Sequence, residues 1–133
     1  MRALRHRNGH PAIRIYGPTD TENRGAVLAF NIVDSRGLFV PHDDVEIQAN
    51  LDGISIRSGC FCNPGSGEYS FQHTGAEIQA CCDGAGSEEF SVERYGKCLG
   101  DKAMGAVRVS LGMASNFYDV HRFIKFIAGK YIH

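Results

Sequence analysis

The chain has 133 residues, 43% of them hydrophobic and 22% charged, with a formal net charge of −1. That length suits one domain, residues 1–133, burying roughly two thirds of its unfolded surface, in the composition range of ordinary soluble globular proteins. The charge balance gives no reason to propose a nucleic-acid or membrane surface; no run approaches the roughly 20 apolar residues of a membrane span, and the N-terminus lacks the apolar core of a signal peptide.

The expected location is therefore the cytoplasm. Five cysteines, an odd number, read as thiols in a reducing compartment rather than as a secreted disulfide framework. Locally, Arg2, Arg5, Arg7 and Arg14, with His6 and His10, have no acid among them. They read as a solvated basic end, with contact to a polyanion as the alternative.

In chain order, "PAIRIYG" is expected to be a short strand closed by Gly17-Pro18, followed by the polar turn "PTDTENRG". "AVLAFNIVD" is the strongest strand. It is apolar on both faces, with Ala26, Leu28, Phe30 and Ile32 on one and Val27, Ala29 and Val33 on the other, as a central strand is. A helix follows, with Pro41, Asp43, Asp44 and Glu46 near its start, where the helix dipole favours negative charge. Val45, Ala49 and Leu51 are expected on its apolar side and Gly53 at its end. "ISIR" reads as a short strand leading into a cysteine loop.

Further on, Thr74 and Glu77 have capping-box spacing ahead of "IQACC", and Ser87 is placed to cap "EEFSVERY" before Gly96. "GAVRVSL" alternates as a strand, Val107, Val109 and Leu111 on one face and Ala106, Arg108 and Ser110 on the other. Ser115 or Asn116 caps a last helix whose apolar stripe is Phe117, Val120, Ile124 and Ile127, ending at Gly129. The order ββαβ, two short helices, then βα predicts an α+β fold, a small mixed or antiparallel sheet covered by helices.

The chemistry concentrates in "RSGCFCNPGSG", residues 57–67. A zinc site there is poorly supported, because C-x-C is a weak opening and Cys81, Cys82 and Cys98 repeat no paired spacing. A Cys60–Cys62 disulfide would need oxidising conditions. A single reactive thiolate on a glycine-hinged loop, favoured by the neighbouring cation of Arg57, is the third reading, and a quiet loop is the fourth. His42, His73 and His121 have no motif around them and read as surface or packing residues.

"RSGCFCNPG" resembles the cysteine loop of the cysteine desulfurases among the class V aminotransferases of fold type I. It is most similar to the R-[ST]-G-C-F-C-N-P-G form of molybdenum cofactor sulfurase-like proteins. "RHRNGHPAIRIYGPTDTENRGAVLAFNIVD" resembles that family's entry into its C-terminal small domain, and "GAVRVSLGMASNFYDVHRFIKFI" its closing strand and helix. The agreement runs from about Leu4 to Ile127 and is weakest over residues 66–100.

The resemblance implies roles. Cys62 matches the cysteine that takes up sulfur as a persulfide, on a loop that swings from donor to acceptor. Cys60 is an accompanying thiol with no assigned step. Arg108 matches the arginine that forks onto the substrate's α-carboxylate, and Arg57 assists beside it. Read without the family, Arg108 between valines is more often half of a sheet-face ion pair.

The family's cofactor is pyridoxal phosphate (PLP), held as a Schiff base by a lysine that usually follows a histidine. Lys97, Lys102, Lys125 and Lys130 are the only lysines, and none follows a histidine. The matched region is expected to begin where the family leaves its PLP-binding large domain, so this chain alone is expected to bind neither PLP nor a metal and not to desulfurate cysteine. Three functions remain: part of a split or truncated desulfurase-like enzyme that needs a PLP-domain partner, a persulfide sulfur carrier, or a non-catalytic binding module that self-associates through an exposed interface.

Overall fold

The structure, a computed structural model, describes residues 1–22, 24–84, 92–100 and 102–133. In chain order the elements are β1 (Ile13–Tyr16), β2 (Val27–Ile32), α1 (His42–Leu51), β3 (Arg57–Gly59), α2 (Pro64–Phe71), α3 (Gly75–Asp83), α4 (Val92–Cys98), β4 (Ala106–Ser110) and α5 (Phe117–Tyr131). The fold is α+β, as expected. Its four strands form one antiparallel sheet in the order β1-β2-β4-β3. Two compact units divide the chain, one of Met1–Gly59 with Ala106–His133, the other of Cys60–Gly105.

The first unit contains the sheet, α1 and α5. Period-2 alternation sends Ile13, Phe30, Ile32 and Val107 to one face, where they share a core with Val45 and Ala49 of α1 and Phe123, Phe126 and Ile127 of α5. Phe30, Ile32, Val45, Val107 and Ile127 are fully enclosed, and each contributes about 1.5–3 kcal/mol by leaving water. β2 is central, in keeping with its two apolar faces. Helix α5 is also tied to the end of α1. Arg122 donates to the Asp52 carbonyl, and Lys130 Nζ donates to Gln48 Oε1 at 2.7 Å and stands 3.6 Å from Asp52, cations where a helix C-terminus favours them.

Several expectations need correction. Leu51 is 73% exposed, because Val45 and Ala49, one turn apart, already set the buried face of α1. Phe117 is 84% exposed; the stripe of α5 is Phe123, Phe126 and Ile127, and Phe117 in its first turn lies off it. Gly129 does not end α5. The helix runs on to Tyr131, whose ring meets Phe126 edge-on at 5.9 Å. Of "ISIR", Ile56 packs into the core but only Arg57 pairs, and the ladder continues to Gly59; the apolar alternation there reported packing and not strand pairing. Helix α2 was unforeseen. Its glycines suggest a loop, but Asn63 caps it by accepting from Ser66 N at 3.1 Å and Pro64 occupies its first position. The expected Ser87 cap lies outside the described residues.

His6 is not part of a solvated basic end. It is 3% exposed; its Nε2–H donates to the Val33 carbonyl at 2.7 Å, and its Nδ1 accepts from His133 N at 3.4 Å. With Arg7 N donating to the His133 carbonyl, one ring joins both ends of the chain to the strand region. His6→Ala is expected to cost about 1–3 kcal/mol, the range for a buried acceptor left without its donor. Urea denaturation would show this as a lowered midpoint at unchanged slope, and an unaltered midpoint would count against the ring as a tie.

Candidate functional site

The antiparallel register of β3 on β4 places Arg57 directly opposite Arg108. Facing residues of such a ladder share a face, with Cα atoms about 4.5–5.5 Å apart, so both guanidinium groups rise from the sheet face opposite the core. Tyr16 and Ala29 continue the same row through β1 and β2. Two cations directly opposed are unfavourable unless an anion joins them. Arg57 has one: its Nη1 stands 3.5 Å from Glu46 Oε1. The exposed Arg108 guanidinium engages no other described residue, so the sheet-face ion pair expected from its setting between valines is not formed among them.

Glu46 was not anticipated as part of this arrangement. Its Oε2 accepts from Ser58 N at 2.7 Å and Ser58 Oγ at 2.6 Å, and Asp43 Oδ1 also accepts from that hydroxyl at 2.9 Å. Ser58 is in the middle of an edge strand, so α1 satisfies an outward N–H that would otherwise invite another strand. The Ser58 hydroxyl chiefly, with its backbone N–H and Arg57, holds the Glu46 carboxyl below its ordinary range against the opposing effect of burial. The spacing Asp43, Glu46 on one helix face was the available signal, but it served equally well as a helix-dipole complement. His42, in reach of Asp43 at 3.4 Å, is peripheral to this cluster.

Beyond Arg57 and Ser58, Gly59 at φ +144° reaches a backbone region that side chains rarely enter, and the chain passes into the second unit. There Phe61 packs on Phe71, centroids 5.0 Å apart, and His73 lies against the other ring at 5.8 Å. Phe61 thereby pins the middle of the C-F-C triplet while Cys60 and Cys62 on either side remain exposed, free thiols. They are not bonded to each other. Among the described residues no three of His, Cys, Asp and Glu gather as a metal-ligand set.

The remaining cysteines do not fit the expectation of free thiols throughout. Cys81 and Cys98 form a disulfide between α3 and α4, their Cα atoms 5.8 Å apart, and Cys82 is free and exposed. A count of five obscured the pairing because sequence spacing does not reveal which side chains meet. The start of α3 carries the expected capping box: Thr74 Oγ1 accepts from Glu77 N at 3.3 Å, and Glu77 Oε2 accepts from Thr74 N at 2.8 Å. Lys102 Nζ adds bonds to Glu77 at 2.6 and 2.7 Å and to the Gln72 carbonyl at 2.7 Å.

The first unit also has an open groove of about 770 Å³, lined by Ile15, Val27, Leu28, Val109, Leu111 and Phe123 among others. Val27 and Leu111 are about half exposed, and Met113, Phe117 and Tyr118, next along the chain, are more so. Leu111 N donates to the Ala26 carbonyl at 2.8 Å, which places the two strand ends side by side. No helix among the described residues is long and apolar enough to cross a membrane.

No protein-family model matches the chain. Curated relatives do. It is similar to proteins named molybdenum cofactor sulfurase from Aspergillus niger (34% identical, over 99% of this chain and 16% of the relative) and Drosophila ananassae (32%, over 99% and 17%). The counterpart from Bombyx mori is 32% identical over 93% of this chain and 15% of the relative. The chain thus spans about one sixth of the length of the relatives it matches.

Glu77 makes the second unit acid-sensitive. Its carboxyl is drawn from 4.5 to about 2, first by the Lys102 hydrogen bond and then by the Thr74 backbone and hydroxyl donors. A carboxylate with a depressed folded pKa contributes fully above its unfolded value, and the contribution is lost as pH falls from about 4.5 towards 2. Circular-dichroism melts across that window should fall more steeply for the native chain than for Glu77→Gln. Parallel curves would mean that Glu77 carries none of the acid sensitivity.

Proposed function

We propose that this chain is the sulfur-accepting and carboxylate-holding part of a molybdenum cofactor sulfurase-like enzyme, corresponding to the C-terminal small domain of a cysteine desulfurase-type class V aminotransferase. The observation that carries the reading is the free, exposed Cys62 in an intact "RSGCFCNPG" loop, in a chain that also offers an unpaired Arg108. Similarity to molybdenum cofactor sulfurases over nearly the whole chain supports the sulfur-transfer part. The same reading sets the protein in the cytoplasm.

Each residue then has a defined task. The planar guanidinium of Arg108 takes the α-carboxylate of an amino-acid substrate through two parallel hydrogen bonds, the strong geometry for that pair. Arg57 adds positive charge beside it, moderated by Glu46. The Cys62 thiolate attacks the substrate sulfur. An S–S bond forms as the C–S bond breaks, the electron pair of that bond stays on carbon, and Cys62 is left as a persulfide. Cys60 is an adjacent thiol to which this sequence assigns no step.

The reading implies PLP in the complete enzyme, which would supply the electron sink for C–S cleavage. The residues of this chain do not fit it. Lys102 is occupied by Glu77 and Gln72, Lys130 by Gln48 and Asp52, and Lys97 and Lys125 stand exposed on helices. The PLP-bearing part belongs to a partner chain or to the remainder of a longer polypeptide, and no step is assigned to PLP on these residues.

A second reading, a non-catalytic docking or self-associating module, is favoured by the exposed Val27, Leu111, Met113, Phe117 and Tyr118. A persulfide carrier would need Cys62 but not Arg108, and that difference separates it from the enzyme reading. The test joins the chain to the PLP-bearing remainder of the Aspergillus niger relative and supplies free cysteine. Intact mass should show the gain of one sulfur atom on this chain, abolished by Cys62→Ser and retained by Cys60→Ser. Arg108→Ala should raise KM for cysteine by about tenfold or more, the loss of a charge-assisted pair of about 1.5–3 kcal/mol. Persulfide formation unaffected by Cys62→Ser would end the proposal; persulfide indifferent to Arg108→Ala would favour the carrier.

A further inference from the structure

All five cysteines lie in the second unit, Cys60–Gly105, and none in the larger first one. Two of them, Cys81 and Cys98, carry a structural burden unrelated to Cys62. Among described residues, the buried apolar side chains of this unit are few: Phe71, Cys81, Leu99 and Ala103. Helix α4 has seven residues, far below the length at which an isolated helix persists in water. The disulfide is a covalent tie between it and α3. Tyr95, three positions before Cys98 and so on the same side of α4, has its phenol pKa raised, chiefly by burial and then by the charges of Cys82 and Glu68. The two ends of the bond differ in access, since Cys81 is 9% exposed and Cys98 lies at the surface.

We propose that Cys81 and Cys98 form a thiol-exchange site for low-molecular-weight thiols of the glutathione class, entered at the Cys98 sulfur, and that its reduction releases α4 from α3. The thiolate of the small molecule attacks Cys98 Sγ. The S–S bond to Cys81 breaks, its electron pair leaves with Cys81, which is protonated, and Cys98 holds a mixed disulfide. A second small thiolate attacks the outer sulfur of that mixed disulfide, forming the oxidised small-molecule disulfide and freeing the Cys98 thiolate. The sum is one protein disulfide and two small thiols converted into two protein thiols and one small disulfide. The reverse reaction, with the small disulfide as oxidant, restores the bond. The unit that carries the sulfur loop thereby has two states, α4 lashed or α4 loose, and this holds whether or not Cys62 transfers sulfur.

The test equilibrates the folded 133-residue chain in buffers of graded reduced to oxidised glutathione, traps thiols with an alkylating reagent and counts them by intact mass. Three of the five cysteines should be modified in the oxidised protein and all five at the reducing end. Cys82→Ser should leave this two-thiol step in place, and Cys98→Ser should abolish it. In parallel, trypsin should cut after Arg94 and Lys97 of α4 about tenfold faster in the reduced chain, the expected signature of a local opening, and reoxidation should reverse the gain. Five reactive thiols at the outset, no reduction of the pair short of unfolding, or equal tryptic rates in both states would each overturn the proposal.

Discussion

The pairing of β4 with β2 on one side and β3 on the other is the constraint from which the arrangement of the first unit follows. Its β2 side joins residues more than seventy positions apart and its β3 side residues about fifty apart, and the register decides which side chains share a face. With Phe30 opposite Val107, the apolar members of both strands enter one core against α1 and α5. The same register sets Ala29, Arg108 and Arg57 in one row on the other face. A slip of one residue would send Arg108 into the core and Val107 to the surface. The burial of Val107 and Phe30 therefore keeps Arg108 where an anion can reach it.

β3 is the weakest part of that scheme. Three residues at an edge hold few ladder bonds, and this strand feeds directly into the cysteine loop. Glu46 compensates with three contacts from one carboxylate, taking the strand's outward N–H, the Ser58 hydroxyl and the Arg57 charge together. It also distinguishes two otherwise equivalent arginines. Arg57 is partly neutralised by Glu46, while Arg108 has no such carboxylate among the described residues.

Much of this was legible before any coordinates. Alternation in "AVLAFNIVD" and "GAVRVSL" grouped Phe30 with Leu28 and Ile32 and set Val107 and Arg108 on opposite faces, because successive side chains of a pleated strand point to opposite sides; which face meets the core follows from the pairing. Capping chemistry located α3 and α5 through Thr74, Glu77 and Asn116. Features that depend on chain meeting distant chain were not legible: the His6 ring between Val33 and His133, Glu46 beneath Ser58, and the Cys81–Cys98 bond. α2 is a different failure. Gly65 and Gly67 disfavour a helix, yet the Asn63 cap and Pro64 at the first position set one of two turns, with Phe71 packed on Phe61.

Cys62 and Arg108 are held by different means. Arg108 is fixed by a ladder with a packed core beneath it. Cys62 depends on a short loop anchored by one aromatic contact at Phe61 and one helix cap at Asn63. A group that recognises a carboxylate gains from rigidity, since each lost degree of freedom is one less to freeze on binding. A group that must collect sulfur in one place and surrender it in another gains from a loop that moves. Neither side chain is an electron sink, and Lys102 and Lys130 are already engaged by Glu77 and Gln72 and by Gln48 and Asp52. On the function proposed above, attack of the Cys62 thiolate on sulfur therefore needs a sink that these residues do not provide.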